Sequence, residues 1–204
     1  YEELAESGTP VVLLGHKAPF CSQFPSVETE DVLASSLATR HLIELGHKRI
    51  AFFAGATHTP WSQERLEGYK RALRDASIEV DESLIFTAGS QIEDGERTVG
   101  EMLNEGVKAT AIQAANDLVA VGAMNRLRQE GIHVPDRMSV VGFGNIQLSE
   151  YCAIPLTTIR QPKFRLGIAA MESIRKLLKH ESVDSRRIAA DLIPRQSTGQ
   201  VHEP

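Results

Sequence analysis

The sequence predicts an α/β fold, a doubly wound and mostly parallel sheet. Short β-branched or aromatic runs alternate with amphipathic stretches of helical length, and each such stretch separates two strand candidates, the order of βαβ units. The 204 residues, 42% apolar and 24% charged, have the composition of an ordinary globular chain long enough to bury a sizeable core.

Taken in order, the strand candidates are Pro10 to Leu14, Arg49 to Ala54, Ser83 to Thr87, Ala109 to Ala114, Ser139 to Phe143 and Leu156 to Ile159. Between the first two lies a helix. Thr29 is expected to cap it, with Glu30 and Asp31 in the first turn where carboxylates favour the positive end of the dipole. Leu33, Leu37, His41 with Leu42, and Leu45 repeat at helical spacing, and Gly46 supplies the left-handed stop before His47, Lys48 and Arg49. Further helices are expected over about Ser62 to Ala76, Ile92 to Asn104 and Asp117 to Glu130, and over Lys163 to Lys179 just after Pro162. An extended tail, Ile188 to Pro194, follows.

The balance of 22 Lys plus Arg against 27 Asp plus Glu, net −5, gives these residues no overall attraction to phosphate backbones. Residues 1 to 31 hold one Lys and six carboxylates, and Lys163 to Ile188 holds seven Lys or Arg against three carboxylates. Opposite charge allows the two to pair, and independently solvated faces are the plainer account. The longest apolar runs fall far short of the roughly 20 residues that a membrane-spanning helix needs. Two cysteines, Cys21 and Cys152, without a CxxC, suggest neither a disulfide framework nor a zinc site, and a reducing, cytoplasmic setting fits best. The acidic start, Tyr1 to Glu6, does not read as a secretory leader.

No Walker loop, GxSxG elbow, HExxH or GxGxxG occurs, so phosphoryl transfer and serine hydrolysis lose their usual sequence support, and no enzyme is expected. His41, Glu44 and His47 have a metal-like spacing, but Gly46 ends the helix before His47, so a packed or capping histidine is expected and no metal or cofactor. A different signal is the set of polar residues just after strands: Trp61 and Arg65, Gln91, Asn116 with Asp117, and Asn145. In a parallel sheet all strand carboxyl ends lie on one side, so these groups converge on one crevice and suit a small polar ligand. Each has a plainer account: Asn116 and Asp117 as helix caps, Arg65 pairing with Glu64 or Glu67, Trp61 as a hydrophobic staple.

Several runs resemble the effector-binding, periplasmic-binding-protein-like core of the lactose-repressor and galactose-repressor family of bacterial transcription regulators. They are His41 to Phe52 (HLIELGHKRIAF), Arg65-Leu66-Glu67-Gly68-Tyr69, Ala115-Asn116-Asp117 and Ser139 to Phe143. Pro155 to Pro162 (PLTTIRQP) and Arg195 to Thr198 complete the set, so the resemblance covers about residues 10 to 199. It implies two lobes with the effector in the cleft between them. The C-terminal lobe would be complete, formed by residues 30–161 and 189–200. The N-terminal lobe would be incomplete, with residues 1–29 and 162–188, and 201–204 would be a tail. The family's helix-turn-helix head would precede Tyr1, so the chain looks like a fragment that meets operator DNA only through that missing head. One strand and one helix make too little of a lobe to bury an apolar face, so residues 1 to 29 are expected to be loose or packed on a neighbour.

The same resemblance assigns effector contacts to Arg65, Asn116, Trp61 and Gln91, with Asn145 and Gly144 after Gly142-Phe143, and Gly15 and His16 after the first strand. Where the family usually has Asp, positions 144 and 15 are glycine. Losing two acceptor carboxylates while keeping Arg65 makes an anionic or bulkier sugar derivative the expected effector. A homodimer is implied, with Val121, Met124, Leu148, Tyr151 and Cys152 as interface residues; for the apolar ones plain core packing is the alternative. The implied function is an effector-sensing, dimerising domain of a transcription regulator. The alternative is a periplasmic sugar receptor of a transporter, which shares fold and cleft.

Overall fold

A computed structural model describes residues 2–16, 19–56 and 59–201; Tyr1 and residues 202–204 of the expected tail lie outside them. Along the chain run α1 (Glu2–Glu6), β1 (Leu13–Leu14), β2 (Ser26–Thr29), α2 (Asp31–Glu44), β3 (Ile50–Ala54), α3 (Pro60–Asp75), β4 (Ile85–Thr87) and α4 (Ile92–Asn104). These are followed by β5 (Ala111–Ala114), α5 (Asp117–Gln129), β6 (Ser139–Phe143), α6 (Gln147–Tyr151), β7 (Thr157–Arg160), α7 (Lys163–Leu177), β8 (Arg186–Ile188) and β9 (Asp191–Ile193). The chain divides into two compact units, residues 1–30 with 161–190, and residues 31–160 with 191–204.

The larger unit is built on a six-stranded sheet in the order β4-β3-β5-β6-β7-β9, parallel except for the antiparallel β7–β9 pair. Every residue of β3 and β6 is buried, as strands covered on both faces must be. Alternation along β3 divides the two layers. Phe52 stacks on Tyr69 of α3 with ring centroids 5.0 Å apart, and Tyr69 donates its hydroxyl hydrogen to the Ile50 carbonyl at 2.8 Å. Phe53 meets Phe86 edge-on at 5.7 Å, inside the cluster formed with Val99 and Met102 of α4 and Val119, Ala123 and Leu127 of α5. Helices therefore cover both faces, the doubly wound arrangement. The α4–α5 contact is close: a Cβ on Gly122 would lie 1.8 Å from the Ile92 carbonyl oxygen, and one on Gly95 2.1 Å from that of Val119. Only glycine allows backbones to approach so far.

The segment after β9 is stitched to the sheet. Ser197 donates its hydroxyl to the Val140 carbonyl (2.6 Å) and accepts the Thr157 amide (2.8 Å), while the Val140 amide donates to the Ser197 carbonyl (2.8 Å). His47 sits beneath it, fully buried, with Nδ1 on the Thr110 hydroxyl (2.9 Å) and Nε2 near Ser139 Oγ (3.0 Å) and the Gly199 carbonyl (3.1 Å). His41 pairs with Thr198 instead (3.0 Å). Among the described residues no group of side chains could hold a metal.

Burial lowers the pKa of both imidazoles from 6.5; for His47 the Gly199 carbonyl opposes this and nearby His41 adds to it, and for His41 Glu44 opposes it. The unfolded chain therefore takes up protons first as pH falls, so this contribution is complete above the unfolded value and is lost as pH drops below it. The melting temperature is expected to hold steady above about pH 7 and to decline from about pH 6.5 downward, with a shallower decline in His47→Gln. Calorimetric melts across that range check it; identical slopes in the two proteins would contradict it.

The smaller unit holds a parallel sheet, β1-β2-β8, with α7 packed on it through Leu166 and Ala169 against Val27. It thus has three strands where one was expected. Thr29 is the last residue of β2 and accepts a hydrogen bond from Gln161 Nε2 (3.4 Å), so it does not cap α2. The expected tail over 188 to 194 is two short strands, β8 ending at Ile188 and β9 starting at Asp191. The acidic and basic segments do meet: Arg187 lies 3.6 Å from both Glu28 and Glu30. In the larger unit, Glu82–Leu84 forms a 3-10 turn before β4, so Ser83 and Leu84 of the expected strand lie outside it.

Candidate functional site

In the larger unit β3 lies between β4 and β5, which both follow it in sequence, so the sheet reverses its winding direction at β3 and β5. Crevices for ligands form outside the carboxyl ends of strands at such a switch point. The chain leaving β3 passes Gly55 and enters α3 with Pro60 in its first turn and Trp61 next, a position where proline's missing N–H costs nothing. An added Cβ on Gly55 would lie 2.2 Å from the Trp61 ring, so glycine lets the indole lie against the β3 exit.

One turn on, Arg65 is only 7% exposed. Its Nε donates to Asp31 Oδ2 (2.8 Å) and its Nη1 to the Ala115 carbonyl (2.5 Å) at the end of β5. The guanidinium lies 3.6 Å from the Phe143 ring centroid and 4.8 Å from that of Trp61, so aromatic rings flank the cation. Burial lowers its pKa, opposed first by Asp31 and then by Asp117 and Glu64. Among the described residues Nη2 has no acceptor, leaving one guanidinium nitrogen to meet a ligand. Among the described residues the ion pair of Arg65 is with Asp31, at 0% exposure, rather than with Glu67, and Glu64 acts on it as a further nearby charge.

Asn116 follows β5 at the cap of α5. Its Oδ1 accepts the Val119 amide (2.8 Å) and its Nδ2 donates to the Ser90 carbonyl (3.2 Å), tying the β5 exit to the β4 exit. The Ser90–Gln91 turn is itself held by Asp94, which accepts both amides (2.8 and 2.9 Å); these bonds keep its carboxyl below the usual range. Gln91 is exposed at the start of α4. Asp117 is fully buried. It accepts the Thr158 hydroxyl (2.5 Å) and the Ile146 amide (2.8 Å) and so pins the loop after β6.

That loop begins at Gly144, with φ of +135°, a left-handed conformation that strains any residue with a side chain. Asn145 turns its Oδ1 toward Arg195 Nη2 (2.7 Å), so this oxygen is committed inside the protein. Gly15 (φ +99°) and His16 belong to the smaller unit, just after β1. The structure thus gathers Trp61, Arg65 and the Asn116 region around the β3 and β5 ends. Of the dimer-assigned residues, Val121 and Met124 are buried in the core cluster, Cys152 is half-buried, and Leu148 and Tyr151 are exposed.

Sequence reasoning missed two functional neighbours. Asp31 stands 34 positions before Arg65 and reads as an ordinary first-turn carboxylate; nothing in the spacing joins them. Phe143 reads as a buried strand residue, and its position at the carboxyl end of β6 is the available signal.

A family described as periplasmic binding protein-like domain matches residues 39–198. The HTH-type transcriptional repressor CytR of Escherichia coli K12 is 35% identical over 191 residues, covering 93% of this chain and 56% of the relative. The chain therefore spans about half the length of such curated relatives. A sugar-binding LacI-family regulator of E. coli solved with phosphate superposes with a TM-score of 0.87 at 29% identity, over 98% of this chain and 72% of the other. A LacI-family regulator from Enterococcus faecium with bound ribose gives 0.87 and 29%, over 98% and 75%. No helix among the described residues is long and apolar enough to cross a membrane. The buried arginine at the switch point, the doubly wound sheet and these matches converge: the chain belongs to the periplasmic binding protein-like domain family, in the form found in LacI-family transcriptional regulators.

Proposed function

We propose that this chain is the effector-sensing and dimerising domain of a cytoplasmic transcription regulator and has no catalytic activity. It takes a sugar or sugar derivative at the carboxyl ends of β3 and β5, and it meets operator DNA through residues outside these 204. The observation that carries the reading is the oriented guanidinium of Arg65, fixed by Asp31 and Ala115 and flanked by Phe143 and Trp61, with Nη2 uncommitted among the described residues. Trp61 offers an apolar face to a sugar ring, and Asn116 a polar edge. Relatives named as repressors favour a regulator over a transporter's receptor. Neighbours solved with ribose and with phosphate bracket the neutral and anionic options. Gln91, Asn145, Gly144, Gly15 and His16 stay in the reading as further contact positions, Asn145 through groups other than its committed oxygen.

Effector binding controls DNA binding only through unequal affinity for two arrangements of the protein. Calorimetry and thermal melts with neutral sugars, acidic sugars, sugar phosphates and nucleosides test the proposal. A true effector at 100 times its Kd is expected to add about 2.7 kcal/mol of stability. Trp61→Ala and Asn116→Ala should each weaken binding by about tenfold or more, about 1.4 kcal/mol. An unmodified hexose binding tightly, with sugar phosphates silent, would overturn the anionic preference; silence across the whole panel would overturn the effector site.

A further inference from the structure

The polar groups around Arg65 continue inward, into a layer where apolar packing is the rule. Gln113 of β5 is 1% exposed, in a strand buried along its whole length. Alternation along β5 sends Ile112 and Ala114 into the α4–α5 cluster and Gln113 to the opposite layer, where it meets α2. A primary amide buried there costs free energy unless its hydrogen bonds are made. They are made, and all on α2. Nε2 donates to Ser35 Oγ (2.8 Å) and to the Ser35 carbonyl (3.2 Å), and Oε1 accepts the Thr39 hydroxyl (2.5 Å). A carbonyl can only accept, so the amide nitrogen is the atom that faces Ser35.

These donors run in one direction. Ser35 Oγ carries a single hydrogen; receiving Nε2 of Gln113, it passes that hydrogen on to the Arg65 carbonyl at 2.5 Å. Asp31 and Ser35 stand four positions apart on α2 and share a face. One takes the Nε of Arg65 and the other its backbone carbonyl, while β5 holds Nη1 through the Ala115 carbonyl. Nearby on α3, a Cβ on Gly68 would lie 2.2 Å from the Val32 carbonyl oxygen and 2.8 Å from Ser35 Cβ, so the two helices meet closely at this point. We propose that Gln113 is a positioning residue: through Ser35 it fixes the turn of α3 that carries Arg65, and so presents Nη2 in one orientation before a ligand arrives. This rests on the effector-site reading above and adds to it the device that preorganises its cation, which lowers the ordering cost of binding. Packing alone does not require an amide at this position. Without it, the Ser35 hydroxyl keeps the Arg65 carbonyl and the Thr39 hydroxyl keeps the Ser35 carbonyl (3.2 Å), so Gln113→Leu leaves neither hydroxyl without an acceptor.

Gln113→Leu and Ser35→Ala in the full chain test the role, with readouts that need no ligand. The melting temperature of Gln113→Leu is expected to stay within about 3 °C of the parent. Solvent exchange of the Arg65 Nε–H, followed by nitrogen-15 NMR, should quicken by about tenfold or more in both variants, with the buried Val141 amide unchanged as reference. Trp61 is the one tryptophan of the chain and lies 4.8 Å from the guanidinium, so acrylamide quenching of its fluorescence should rise by about twofold or more. Calorimetry with ribose, glucuronate, ribose 5-phosphate and uridine then reads affinity: each variant should bind any of them that the parent binds about tenfold more weakly. Unchanged Nε–H exchange and quenching overturn the proposal. So does an Nε–H that quickens only in step with the Val141 amide, which makes Gln113 a packing residue. Loosened Arg65 with a parent that binds none of the four overturns the effector reading and supports the hold of Gln113 on Arg65.

Discussion

Arg65→Met is expected to lose about 3–5 kcal/mol of folding stability together with effector binding. The substitution keeps an apolar stem of similar length but removes the cation that pairs with Asp31, whose carboxylate is fully buried and receives Nε at 2.8 Å. A buried carboxylate that loses its ion pair is the costly outcome; the Ala115 carbonyl also loses its Nη1 donor, and Phe143 loses the cation 3.6 Å from its centroid. Replacing both partners, Asp31→Leu with Arg65→Met, removes the stranded charge, so the double variant is expected to be more stable than Arg65→Met alone. Urea unfolding of the four proteins completes the cycle. Strictly additive losses would show that the pair is not coupled. Binding separates the two roles of Arg65: the double variant should regain stability and remain blind to effector.

Two glycine substitutions are expected to act with opposite signs. Gly122→Ala would place a methyl 1.8 Å from the Ile92 carbonyl oxygen, a backbone atom that can yield only if α4 moves away from α5. Overpacking of that kind costs about 1–3 kcal/mol, and the upper end is expected because Gly95 meets Val119 in the same helix pair. Gly167 of α7 has nothing within 4 Å of an added Cβ and ordinary helical backbone. Gly167→Ala should therefore stabilise by about 0.5–1 kcal/mol, through the entropy of the unfolded chain and helix propensity. Equal signs in the two melts would refute the account of the helix contact.

The long amphipathic elements are legible in the sequence because their apolar spacing reports burial directly. Ile92–Asn104 and Ser139–Phe143 are read to the residue. Short or doubly covered pieces are less so. Ser26–Thr29 looks polar and is buried throughout, because Glu28 is satisfied by Ser26 and Arg187 in three dimensions. The five-residue α6 is too short to show a period. Within the candidate site, strand-end positions point to Arg65, Trp61 and Asn116, since a parallel sheet places all its carboxyl ends together. The commitments of those side chains are not legible: that Asp31 holds Arg65, or that Arg195 takes the Asn145 oxygen across 50 positions, depends on how distant segments pack.

The stitch formed by Ser197 carries a consequence for biosynthesis. Val140 and Thr157 receive their partners only after the chain has detoured through residues 161–190 and returned. On a ribosome, the five-strand sheet from β3 to β7 is synthesised before its border is closed, so β7 leaves the exit tunnel with one flank open. The late arrival of residues 191–199 supplies that border, making closure of the larger unit a late step in its folding, slowed by the high contact order of its closing bonds.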